Sequence, residues 1–171
     1  MIQMVAKLLR VLNSESEPGQ ISLALCFAMV IGFTPLYTIH NLLVILLVLI
    51  LRVNLSAFLL SWGFFSGLAY LLDPLFHQIG LAVLTASPLE GLWISLYNMT
   101  IFRLENFNNT IVMGSLVLSM LLFAPLYWAL NLAIRKYREN ILTWLQKTRV
   151  MQFIKGSRLY TTYQAVSGWR D

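Results

Sequence analysis

The chain is 171 residues long, 58% hydrophobic and 11% charged, with a formal net charge of +5 and a mean hydropathy of +0.73. A soluble domain of this length carries about twice that charged fraction, so an ordinary water-soluble enzyme is excluded and one membrane domain fills nearly the whole chain. Cys26 is the single cysteine, which excludes an internal disulfide and a cysteine-based metal site and leaves it as a small apolar residue.

Residues 1–13 read as an amphipathic helix lying on the membrane surface: Ile2, Val5, Leu8, Leu9 and Leu12 share one stripe, with Lys7 and Arg10 off it. Ser14-Glu15-Ser16-Glu17-Pro18 follows in place of an apolar signal core, so no cleavable signal peptide is expected, and Ser16 with Pro18 should restart a helix. The run Ile21–Leu51 is too long for one span, at about 46 Å of helix against about 30 Å of hydrocarbon, and too short for two. Gly32-Phe33-Thr34-Pro35 lies near its middle. Thr34 can cap and Pro35 can take a first helical position, which predicts two half-length helices meeting in a re-entrant hairpin.

Arg52-Val53-Asn54 ends that run, and a span over 54–72 follows, rich in small residues. Gly63 and Gly67 form a G-x-x-x-G pair that permits close approach of another helix. Asp73-Pro74 is expected to cap and start a new helix, and Ser87-Pro88-Leu89-Glu90 another, with Glu90 completing a capping box. Residues 88–107 mix Trp93, Tyr97, Phe102 and Phe107 with Asn98, Arg103 and Glu105, an interfacial composition. Asn109 can cap the last span, which reaches about Ile134 and should kink at Pro125. Eight of the twelve Lys/Arg lie beyond residue 134, as in a cytoplasmic tail beside anionic lipid, and this placement argues against nucleic acid as the partner. Pro-Leu-Tyr/Phe recurs at 35, 74 and 125, but three residues are too few to establish a duplication.

From Pro18 to about Gly80 the chain resembles a bacterial membrane family, domain of unknown function 2062, through Pro18, Gly32, Pro35, Arg52-Val53-Asn54 and the apolar segments between them. A subgroup resembles it more fully, through Gly32–Leu36, His40–Leu43, Leu51–Leu55, Phe65–Gln78, Phe107–Thr110 and Arg135–Glu139. Asp73-Pro74 departs from the Asn-Pro usual in the wider family near this position. The resemblance implies no reaction. The subgroup looks like a companion of large envelope proteins, which implies a membrane subunit of an envelope complex.

The polar residues at membrane depth each have two readings. His40 and Asn41 form either a polar site for a lipid headgroup or ion, or hydrogen bonds between helices. Arg52 and Asn54 either hold phosphate or mark the interface where the chain turns. Asp73 and His77 either share a proton or metal, or Asp73 simply caps. Asp73, Glu90 and Glu105 are scattered, each with a local structural explanation, and no catalytic motif is present.

The expected fold is an all-α integral membrane protein. Its parts are an interfacial helix at 1–17, a membrane domain at 18–134 and a basic cytoplasmic tail at 135–171. The membrane domain comprises the broken hairpin 18–51, a span at 54–72, outer interfacial helices at 73–108 and a span at 109–134. Both termini are placed in the cytoplasm of a bacterial inner membrane. The expected role is a non-catalytic subunit, without metal or cofactor, that anchors or gates a larger envelope assembly, one that moves lipid. Its expected partners are membrane lipids and a large envelope protein. The alternative is an oligomeric transporter or lipid scramblase working through broken helices.

Overall fold

The structure, a computed structural model, describes residues 16–51 and 53–142. The surface helix expected over residues 1–13, Arg52 and the tail beyond 142 lie outside the described residues.

Helix α1, Pro18–Phe33, opens with Pro18 in its first turn, where a missing N–H costs no hydrogen bond. Ser16 is not its cap: Glu17 holds that position, without a side-chain bond. The helix is apolar all round and is buried almost throughout, from Ile21 to Phe33. It stops at Thr34 because that residue precedes Pro35 and is pushed to extended backbone, φ −92° and ψ 150°. Helix α2, Ile39–Ile50, turns back. The break is therefore real, but Thr34 and Pro35 do not begin the second helix. Thr34 closes the first helix, its N–H and hydroxyl both bonding the Val30 carbonyl, and five residues intervene before α2.

Helix α3, Leu55–Leu84, starts at Asn54, whose side chain accepts from the Ala57 amide at 2.8 Å. It runs through Pro74, so the boundary expected at 72/73 falls inside it and Asp73 caps nothing. Packing beyond the proline overrides the cap signal. Phe76 is fully buried against Met29 and Phe33, and Gly80 lies against the next long helix. A 3₁₀ turn at Ser87–Leu89, α4 at Glu90–Tyr97 and α5 at Thr100–Leu104 form a small outer lobe. The capping box is absent: Glu90 begins α4 and no side chain caps it. Asn106 takes the left-handed turn before the last helix, φ 55°, which asparagine tolerates well. Helix α6, Thr110–Lys136, is capped by Asn109 as expected and is continuous through Pro125, ending in a π turn at 137–142.

The core is α1 laid between α3 and α6. One apolar cluster joins Ile21, Phe27 and Ile31 to Ala57, Phe58 and Ile134, and a second joins Met29 and Phe33 to Phe76. Glycine sets the closest approaches. A methyl on Gly80 would stand 1.9 Å from the Thr110 carbonyl oxygen, and one on Gly114 1.8 Å from that of Phe76. Both ends of the α1–α2 hairpin meet at one end of the molecule. There the Asn54 amide donates to Ser16 Oγ, and Arg138 donates to the Ser16 carbonyl, each at 2.9 Å. Among the described residues, two helices, Leu55–Leu84 and Thr110–Glu139, are long and apolar enough to cross a membrane.

Candidate functional site

The hairpin tip gathers the polar chemistry. Breaking a helix frees carbonyls at the end of the first half and amides at the start of the second, and buried ones need partners. Asn41, only 1% exposed, serves the first set: its Nδ2 donates to the Pro35 carbonyl at 2.8 Å, and its Oδ1 lies 2.9 Å from the Thr34 hydroxyl. Thr38 Oγ1 donates to the same Pro35 carbonyl at 3.1 Å. The amides of α2 are served from outside the hairpin. Glu105 Oε2 accepts from Ile39 N at 2.7 Å and His40 N at 3.2 Å, while Glu105 Oε1 pairs with His40 Nδ1. His40 Nε2 is 3.3 Å from Thr38 Oγ1, so both ring nitrogens have a polar neighbour. A carboxylate at a helix N-terminus is further favoured by the helix dipole.

Glu105 is thus not explained locally. It comes from the outer lobe and is the N-terminal partner of α2, which Thr38 flanks without a side-chain cap bond. The only sequence signal for the pair is chemical: a histidine and a carboxylate in apolar surroundings each require a partner. Beneath His40, Phe27, Val30, Val44, Met120 and Phe123 line a groove of about 330 Å³ between α1, α2 and α6. The tip itself faces outward, with Tyr37 91% exposed.

The other singled-out residues lie apart from this site. Gly32 does sit at the end of α1, where it lets the backbone approach Phe65. Asn54 caps α3 at the opposite end of the hairpin. His77 bonds Thr110 Oγ1 at 2.7 Å, an inter-helix contact, and Asp73 is not its partner. Among the described residues there is no group of three His, Cys, Asp or Glu that could hold a metal. Gly63 and Gly67 line an open face of α3: a methyl on either would meet nothing within 4 Å among the described residues. Among the described residues, Gly32, Gly80 and Gly114 bring helix backbones close and Gly19 lies against Tyr127 Oη, and Gly80 and Gly114 belong to no G-x-x-x-G pair.

This arrangement is a lock. The hairpin turn at 34–41 and Glu105, far apart in sequence, are held by hydrogen bonds where the backbone departs from helix between α1 and α2. Cys26, fully buried in α1 with its Sγ directed at the Phe123 carbonyl, packs as a small apolar residue.

Among known proteins, the chain is similar to an uncharacterized protein of Treponema pallidum (strain Nichols), 23% identical over 159 residues, which cover 93% of this chain and 98% of the relative. No solved structure matches it significantly. Residues 3–141 match the family described as an uncharacterized protein conserved in bacteria, domain of unknown function 2062, and the chain belongs to that family.

Proposed function

We propose that this protein is a non-catalytic subunit of the bacterial inner membrane that anchors or gates a larger envelope complex. The observation that carries the reading is the open face of α3. Gly63 and Gly67 stand there beside exposed Leu59, Phe64 and Tyr70, while the glycines at 32, 80 and 114 are all used in internal packing. In lipid, small residues on a helix face favour close packing of another helix, and a large envelope protein's anchor is the occupant proposed. Only 11% of the most apolar window of α3 is buried, which suits a helix bounded by lipid and partners better than the core helix of a soluble protein. With α1 and α2 about 24 Å and 18 Å long, the hairpin enters and leaves on the cytoplasmic side.

The test is affinity purification from native membranes. A stoichiometric large envelope protein should accompany the wild-type chain and be lost in Gly63→Leu and Gly67→Leu, which still insert. Full association in both variants, together with loss of function in His40→Ala, would overturn the reading.

A second reading, an oligomeric transporter or lipid scramblase, draws on the broken hairpin and the groove under His40. It is favoured if the purified protein alone moves lipid or solute across proteoliposomes.

A further inference from the structure

The outer lobe carries a second concavity that owes nothing to the hairpin. It measures about 360 Å³ and lies where Leu84 ends α3, at the far end of the molecule from Ser16, Asn54 and Arg138. With Leu84, the residues Trp93, Ile94, Tyr97, Asn98, Phe107 and Asn108 line it. No lining residue is charged.

Two of the rings are held in place. Trp93 donates its ring N–H to the Val83 carbonyl at 3.2 Å, and its ring centroid lies 6.1 Å from that of Phe107. Phe107 is itself 6% exposed and edge-on to Phe102. Trp93 and Phe107 are therefore fixed within the lobe, while Tyr97 is 51% exposed at its rim. The carboxamides differ: among the described residues, neither Asn98 nor Asn108 has a side-chain hydrogen bond, although the other asparagines of this lobe, Asn106 and Asn109, are engaged.

We propose that this pocket binds one neutral pyranose ring, a sugar unit of the cell envelope. The absence of charge disfavours phosphate, carboxylate or ammonium as the recognised group. A plain hydrocarbon chain would leave two carboxamides facing it without partners, at a cost in free energy. A sugar ring meets both demands. Its C–H faces lie against aromatic rings, and each hydroxyl donates and accepts, as each carboxamide does. The volume and the mixture of aromatic walls with a few polar groups are those of a small-ligand site. The ring can arrive on a lipid or on a soluble glycan, and the chemistry of recognition is the same.

The experiment uses the full-length protein in detergent and two probes. Native mass spectrometry with equal amounts of monoglucosyl-diacylglycerol and phosphatidylglycerol of the same acyl chains reads the lipid-borne sugar. Saturation-transfer NMR with methyl β-glucopyranoside reads the free ring. Asn98→Leu and Asn108→Leu, both at exposed positions, remove the hydrogen bonds and leave the rings in place. We expect the glucolipid to be retained over phosphatidylglycerol, the glucoside to show transfer, or both. The double variant should weaken retention about tenfold or more, two hydrogen bonds' worth. Glucolipid alone assigns a lipid-borne sugar, and glucoside alone assigns a soluble glycan. Retention of both lipids equally with no glucoside signal, no binding of either sugar, or binding unchanged in the double variant, would overturn the proposal.

Discussion

At the scale of single residues, Glu105 ties the lobe after α3 to the hairpin tip. Its two oxygens accept from two backbone amides and meet one imidazole, all 65 or 66 residues earlier in the chain. Removing it strands the first amides of α2 in a partly buried place, a loss of about 2 kcal/mol for hydrogen bonds to a charged acceptor. We therefore expect Glu105→Ala to speed hydrogen exchange at the Ile39 and His40 amides about 30-fold, and Glu105→Gln, which keeps an acceptor, to speed it clearly less. Exchange unchanged in Glu105→Ala would show that the carboxylate does not hold α2. Asn41 acts within the hairpin by the same logic. Its buried carboxamide donates to the Pro35 carbonyl and meets the Thr34 hydroxyl, both within the hairpin turn and not on a neighbouring helix.

At the scale of elements, the glycines divide α3 into two regions. Near Leu84 it meets α6 backbone to backbone at Gly80 and Gly114, where an added methyl would collide with a carbonyl oxygen. Toward its middle, Gly63 and Gly67 have open space among the described residues. Gly80→Ala and Gly114→Ala are expected to lower stability by about 3 kcal/mol or more, because backbone cannot yield as a flexible side chain does. Gly63→Ala and Gly67→Ala should change the stability of the isolated chain by no more than about 0.5 kcal/mol. Unfolding in mild detergent separates the two pairs, and equal effects would contradict the division. Pro74 and Pro125 illustrate the same point from the other side. Each sits inside a long helix that continues past it.

At the scale of the whole molecule, the hairpin decides the topology. Ser16, Asn54 and Arg138 converge at one end, and Glu105 reaches the hairpin tip from the outer lobe. In the proposed membrane setting, this places Arg52 and Lys136 on the cytoplasmic side and Gly91 outside. In a Cys26→Ser background, an impermeant thiol reagent should label Arg52→Cys and Lys136→Cys only from the cytoplasmic face, and Gly91→Cys only from the outer face. Labelling of Arg52→Cys from outside alone would replace the hairpin by a simple span.

Much of this architecture is legible in the order of residues. Run lengths set against helix rise require a break within 21–51, and the Thr34-Pro35 pair places it, because the residue before a proline is biased toward extended backbone. Asn109 as a cap and the long apolar helix after it follow from equally local chemistry. The tertiary structure alone decided the rest. It made α1 the core and left α2 largely exposed, carried α3 through Asp73-Pro74, and brought Glu105 to His40. The reason is common to all three. A cap or a proline is worth a few kcal/mol at one site, whereas the burial of Phe76 and the contact of Gly80 with Gly114 act together on the same helix. A carboxylate and a histidine far apart in the chain become partners only when packing brings their segments together, and no local pattern announces that distance.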